Sequence, residues 1–386
     1  MTALFPHVVS GALLLLVAGT APSQPLYAGP VREGAAPAIR LEAPFDTVRQ
    51  RERWGRVMPQ LAACPPVPAP VRDHLHEPFY TDRNNSVADP AKRGKVLQSL
   101  APMWAYSKGL NDLAEDFVRA TPADLGRARC VLAWLDAWAS AGALTGKVDK
   151  WGFYDTLWAD QIAAGMAYFK IWRQPGLDAA AKARVAQWLA ILARRAVNEN
   201  EGFNEARRKR KEPPHNLSFW TAAGAVVAGV AADDRPLFDW GIRTAREGLG
   251  AVTAAGALPA ELERKGRAFV YHTWALEPLM LVAAFAAANG VDLIEGRQGA
   301  LARIVDFLIE ARADPAAFEA LAGAPQQGDS RPAAWPTSKS AAALEVYLSL
   351  RPDPRIEVLV APLRPVTSQF SGGNFSLMFA RPAPGH

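Results

Sequence analysis

From about Lys92 onward the apolar positions recur with a helical period. Leu132, Leu135 and Trp138 stand at three-residue steps, and Ala133 and Ala137 fill the same stripe. Thr121 followed by Pro122 reads as an N-cap and first helical position opening that helix. Further helical patterns run at Tyr154–Arg173, Ala179–Asn198, Asn216–Ala232, Pro236–Leu249, Ala268–Asn289, Gln298–Ala311 and Ser338–Leu350. Two stretches, Phe219–Ala231 and Leu276–Ala288, are apolar nearly all round, which predicts helices buried among other helices. Small residues (Ala222, Ala223, Gly224, Ala225, Ala228, Gly229) permit close helix–helix approach in the first of them. Strand signals are weak until the tail, where Ile356–Val360 and Phe375–Phe379 are expected to pair locally. The pattern predicts an all-α domain of ten or so helices, and an incomplete (α/α) barrel of antiparallel helices suits it. Periodicity shows the helices and not the closure.

The N-terminus carries an apolar run, Val8 to Ala18, followed by Gly-Thr-Ala-Pro-Ser. It is too short to span a bilayer and is followed by small residues, as in a secretory signal. The expected organisation is a signal peptide over residues 1–23, an extended Pro- and Ala-rich segment over 24–60, and one helical domain over 61–386. No other stretch reads as a membrane span, so no membrane association is expected after export, and the expected location is the periplasm.

Composition sharpens this picture in three places. The net charge of +5 leans toward an acidic partner, yet no nucleic-acid-binding motif is present. Twelve Trp in 386 residues is a surplus, which core packing or sugar-stacking platforms would absorb. Two Cys and six scattered His show no zinc-ligand spacing, so neither metal nor other cofactor is expected. For Cys64 and Cys130, an oxidising compartment favours one disulfide over the alternative of two free buried thiols.

Two segments carry candidate chemistry. Residues 258–274 crowd Arg264, Lys265, Arg267, Tyr271 and His272 together, and in a helix Arg264, Arg267 and Tyr271 would share a face. Gly266 argues for a turn over part of it. Cations beside a phenol favour the phenolate and are expected to lower the Tyr271 pKa. The plainer reading is a solvated basic helix end with Tyr271 as a packing residue. The second segment runs five basic residues, Arg207 to Lys211, into Pro213-Pro214 and then His215-Asn216 at a helix entry, where anions are favoured. Its plainer reading is a solvated loop. An amide, an arginine and a tyrosine beside a basic approach suit β-elimination at a uronic acid. That reaction needs the sugar carboxylate neutralised, the C5 proton removed and the O4 leaving group protonated.

These segments resemble alginate lyases of polysaccharide lyase family 5, periplasmic enzymes with an α/α barrel. The resemblance covers about Cys64 to Pro382. Its best stretches are Leu132-Ala-Trp-Leu-Asp-Ala-Trp138, Arg235-Pro-Leu-Phe-Asp-Trp240, Leu258-Pro-Ala-Glu-Leu with Arg264, Arg267, Tyr271 and His272, and Ala288-Asn-Gly-Val-Asp-Leu293. Both cysteines match. The resemblance implies that Asn216 and Arg264 neutralise the substrate carboxylate and that Tyr271 is the acid/base. It implies further that Trp220 lines the cleft, and His215, Arg267 and Tyr80 join it as substrate-binding candidates.

Departures accompany the match. The family's Asn-His pair is Asn216-Leu217 here, and His215 lies one residue too early to replace the histidine. Phe79-Tyr80 stand where the family has a cleft lysine, and an arginine expected in the tail falls on Leu377. The expected activity is therefore cleavage of poly-mannuronate or a related acidic polysaccharide by a monomer. A non-catalytic polysaccharide-binding or export-accessory protein is the alternative that Leu217 favours. A two-carboxylate glycoside hydrolase drawing on Asp155, Asp160, Glu261 or Glu263 lacks a convincing pair.

Overall fold

The computed structural model describes residues 40–381 apart from 76–77, 83–86 and 157–160. The expected signal peptide, the extended segment as far as residue 39, and Asp160 lie outside the described residues. Helices follow one another along the chain: α1 (Thr47–Trp54), α2 (Pro90–Arg119), α3 (Leu125–Ser140), α4 (Lys150–Thr156), α5 (Ala163–Ile171), α6 (Ala179–Lys209), α7 (Asn216–Ala232) and α8 (Arg235–Gly250). After these come the single turn α9 (Pro259–Leu262), α10 (Ala268–Ala288), α11 (Gly296–Ala313), α12 (Pro315–Ala322), α13 (Ala342–Leu350), α14 (Pro354–Val360) and α15 (Phe375–Phe379). A two-residue antiparallel pair, β1 (Thr367–Ser368) with β2 (Gly373–Asn374), closes a short hairpin in the tail.

Local chemistry sets most helix starts. Asp89, Asp124, Asp178, Asp234, Asp314 and Asp353 each accept a first-turn backbone N–H, and Pro follows directly at the first position of α2, α12 and α14. Asp124 opens α3, so the Thr121-Pro122 start is corrected by three residues; the Thr121 N–H goes to Arg56 O instead. The tail strands are corrected too. Ile356–Val360 is helical because Pro354 and the Asp353 cap start a helix there, and Phe375–Phe379 is helical with the Asn374 side chain capping the Leu377 N–H. Residues 40–60 are not wholly extended, since α1 occupies their middle and Leu41 is buried.

The helices layer in sequence order. α2 packs on α3 and α5, α3 on α6, α6 on α7, α7 on α8 and α10, and α10 on α11 and α13. α7 and α10 are the central pair, buried along almost their whole lengths. α10 belongs to a stretch, Lys265–Ala288, that is long and apolar enough to cross a bilayer. That corrects the expectation that nothing beyond the N-terminus reaches such a length, and burial of 78% of the apolar window accounts for it as packing. Contact between α7 and α8 is tight enough to need glycine. A Cβ on Gly229 would meet Phe238 N at 2.8 Å, and one on Gly248 would meet the Phe219 ring at 2.1 Å. Cys64 and Cys130 form a disulfide with Cα atoms 5.5 Å apart, tying the segment before α2 to α3.

Candidate active site

The turn between α9 and α10 is the centre of the site. Gly266 and its neighbours do break the helix, as the sequence suggested: Lys265 takes a left-handed backbone (φ 53°) and residues Lys265–Arg267 form a 3-10 turn. A brace from residues 324–330 holds this turn in place. Gln326 Nε2 donates to Lys265 O (2.9 Å), and Gln327 N donates to Gly266 O (2.9 Å). At the start of α10, the Phe269 N–H is received by Gln326 Oε1 and the Val270 N–H by Ser330 Oγ, each at 3.0 Å. On the other side the buried His272 Nε2 accepts the Leu258 N–H at 3.0 Å, while its Nδ1 donates to Ala268 O. The turn is thus fixed from both flanks.

This arrangement puts Arg264 and Arg267 against the ring of Tyr271, with guanidinium carbons 4.7 and 6.0 Å from the ring centroid. The Tyr271 hydroxyl lies 2.8 Å from the Tyr80 hydroxyl, and either can be the donor. So Arg264, Arg267, Tyr271 and Tyr80, four of the expected residues, are brought into one cluster. The expectation of a lowered Tyr271 pKa is overturned. Burial pushes the phenol well above its ordinary value, the neighbouring Tyr80 adds to this, and the two arginines pull it down without compensating. In the free protein Tyr271 is a neutral phenol.

Asn216 and His215 sit one layer behind. Asn216 is fully buried at the start of α7, where its backbone N–H and its Nδ2 donate to the two oxygens of Glu261 at 2.7 and 2.9 Å. Glu261 is itself fully buried, and Arg264 Nε lies 3.8 Å from its Oε2. Burial pushes the Glu261 carboxyl up, while Arg264 and the Asn216 donors pull it down. His215 caps α7: its Nδ1 accepts the Leu217 N–H at 3.1 Å, and its ring packs edge-on to Phe203. Burial and the charges of Arg264, Arg207 and Lys150 hold its pKa well below 6.5. A neutral ring with Nδ1 accepting carries its proton on Nε2, so His215 is a donor and no base. Leu217 packs partly buried against the core.

Trp220 is fully buried and offers the cleft no surface, which corrects its place as a cleft residue. Its ring lies 4.7 Å from that of Trp274, which in turn meets Phe370 of the tail hairpin at 5.0 Å. Trp274 and Phe370 are only partly buried. The signal for Trp274 was its place three residues after Tyr271 on one helix face. Leu377, the position of the expected tail arginine, is buried in α15.

The basic run is also revised. Arg207, Arg208 and Lys209 form the last turn of α6, and most of their charge is matched locally: Arg207 with Glu212, Arg208 with Glu201 and Glu247, Lys209 with Glu205, and Arg210 with Glu212. Paired exposed cations attract a polyanion less than five free ones would. Of the carboxylates considered for a hydrolase, Asp155 is buried against His74 (3.1 Å) and Glu261 is committed to Asn216.

Comparison with known proteins places the chain in a family. The alginate lyase family matches residues 80–318, a span holding Tyr80, His215, Asn216, Trp220, Glu261, Arg264, Arg267 and Tyr271. A polysaccharide lyase from Stenotrophomonas maltophilia is 34% identical over 269 residues, covering 69% of this chain and 78% of that protein. An alginate lyase from Azotobacter vinelandii is 35% identical over 273 residues, covering 68% and 70%. The crystal structure of alginate lyase A1-III from Sphingomonas species A1 superposes with a TM-score of 0.69 at 21% identity, covering 88% of this chain and 96% of that one. A tetrasaccharide complex of an A1-III variant gives 0.72 at 20% identity, covering 90% and 98%. The shared fold is the incomplete α/α barrel expected from the sequence. On the extent of these matches, the chain belongs to the alginate lyase family.

Proposed function

We propose that this chain cleaves a uronic-acid polymer, poly-mannuronate or a related acidic polysaccharide, by β-elimination. The observation that carries the reading is the braced turn that sets two arginines on Tyr271 with the Asn216–Glu261 pair directly behind. Arg264, backed by Asn216, neutralises the sugar carboxylate and stabilises the dianion that forms when the C5 proton leaves. Arg267 adds positive charge on the same ring. Tyr271 starts protonated, so it is ready to protonate O4 as the C4–O4 bond breaks. It acts as a base at C5 only as the phenolate, after its own proton has left to solvent, while the neutral Tyr80 hydroxyl 2.8 Å away holds the phenol oxygen in place. Trp274 and Phe370 offer a surface for a neighbouring sugar ring. One chain carries every group named, so a monomer suffices.

Incubation with a panel of uronic-acid polymers, followed at the ultraviolet absorbance of the unsaturated product, tests the proposal. Growth of the band on a mannuronate-containing polymer is expected. A flat trace on every polymer, together with binding to one of them, would establish the non-catalytic reading that Leu217 favours. The apolar run Val8–Ala18 and the small residues after it support export, and we place the activity in the periplasm. N-terminal sequencing of the periplasmic protein checks this, and a chain still beginning at Met1 would overturn it.

A further inference from the structure

Glu261 meets both groups assigned to the substrate carboxylate, and no role has yet been given to it. Its side chain is fully buried on α9. Oε1 accepts the Asn216 backbone N–H at 2.7 Å, and Oε2 accepts Asn216 Nδ2 at 2.9 Å with Arg264 Nε at 3.8 Å. Both Glu261 oxygens accept from Asn216, so the amide lies with Nδ2 toward Glu261 and Oδ1 away from it. Asn216 Oδ1 is buried without a hydrogen-bond partner among the described residues. An amide held at one end and unmet at the other is arranged to receive something the free protein lacks.

The same carboxylate also draws on Arg264. Part of that cation's charge is matched before any substrate arrives, so a singly charged uronate gains less from it than it would from a free guanidinium. The dianion formed after C5 deprotonation gains more. An interaction stronger in the transition state than in the ground state raises turnover instead of merely tightening binding.

Resting on the lyase reading, we propose that Glu261 is a positioning residue that orients Asn216 and Arg264 for the uronate carboxylate and weakens ground-state binding in favour of the transition state. Glu261→Gln in the full chain removes the charge at nearly constant shape. The expected result is a split: kcat on poly-mannuronate falls tenfold or more while KM falls several-fold, with the melting temperature within a few degrees of the parent. A role confined to holding the fold would not lower KM, and an unchanged kcat, or a raised KM with kcat intact, would overturn the proposal.

A second measurement needs no activity and no variant at Glu261. In the ¹⁵N-labelled parent, the Asn216 side-chain amide, identified by its loss in Asn216→Asp, is expected to exchange with solvent at least tenfold more slowly than exposed asparagine amides. Free exchange would overturn the positioning role. A slowly exchanging amide in a protein that releases no unsaturated product would leave the positioning role standing and remove the lyase reading instead.

Discussion

Tyr271 is held in a state that suits an acid better than a base. Burial and the Tyr80 hydroxyl raise its pKa, and the two arginines on its ring do not bring it back. The phenolate fraction is therefore small near neutral pH and grows as pH rises. If proton removal from C5 by Tyr271 limits the rate, log kcat should climb steadily from neutral into the alkaline range, until the protein itself unfolds. A rate falling above pH 7 would show that the protonated phenol limits turnover. Tyr271→Phe deletes one oxygen and keeps the ring beneath Arg264 and Arg267. Turnover should drop by about 10²–10⁴ with melting little changed, as for loss of a general acid–base group. Activity within a few-fold of the parent would remove Tyr271 from the mechanism. His215 makes the contrasting case. Its Nδ1 is spent on capping α7 and its pKa is held down, so His215→Ala should cost about 1 kcal/mol of stability through the lost cap and change turnover only a few-fold. Abolished turnover in a folded His215→Ala protein would give this histidine the chemical role denied to it above.

At the scale of elements, the turn from Leu258 to Ala268 depends on a neutral histidine. His272 is fully buried, accepts the Leu258 N–H and donates to Ala268 O, and burial pushes its pKa down to about 4. In the unfolded chain the same ring titrates near 6.5. Between those values the unfolded state binds the proton and the folded state does not, so stability falls as pH drops from 6.5 toward 4 and levels off below. The span of about 2.5 units corresponds to roughly 3 kcal/mol. Urea titrations of the parent should lose this stability over that window, and His272→Gln should lose distinctly less. Equal losses would place the acid sensitivity elsewhere. The turn also shows what the sequence could and could not tell. The spacing of Arg264, Arg267 and Tyr271, with Gly266 as a helix breaker, was enough to gather those three side chains. The basic run before Pro213 was legible as charge but not as a set of ion pairs, because α6 runs on to Lys209 past the expected end at Asn198. Glu201 and Glu205 pair with Arg208 and Lys209 along α6 itself, and Glu247 reaches Arg208 once α8 packs on α6. Trp220 read as a cleft residue by resemblance, and only the fold shows Trp274 lying over it. Glu261 stood in plain view as one carboxylate among several. Its commitment to Asn216 spans 45 residues and arises from the packing of α9 against the start of α7. The tail misled for a different reason: short apolar runs do not distinguish strand from helix, and the capping by Asp353 and Asn374 decided it.

Across the whole molecule, the helical layers and the cross-link are separable from the site. Cys64 and Cys130 close a loop with a sequence separation of 66 and pin the chain before α2 onto α3. The same strip is fastened by Trp134 Nε1 to Pro65 O and by Trp138 Nε1 to Pro68 O, each at 3.0 Å. These tryptophans are buried core residues of α3 with their indole N–H groups satisfied, which absorbs part of the tryptophan surplus without invoking sugar. Neither cysteine is among the groups gathered around Tyr271. Removing the bridge should therefore act on the unfolded chain, by releasing a loop of that length, more than on the native site. Cys64→Ser with Cys130→Ser is expected to lose about 2–4 kcal/mol in urea titration, the typical range for a disulfide. Below the unfolding transition its kcat and KM on poly-mannuronate should match the parent within about twofold. Thiol titration of the native protein, purified without reductant, should find no free cysteine. Two titratable thiols would remove the bridge, and a double variant that is as stable as the parent but inactive would show that the strip before α2 shapes the site itself.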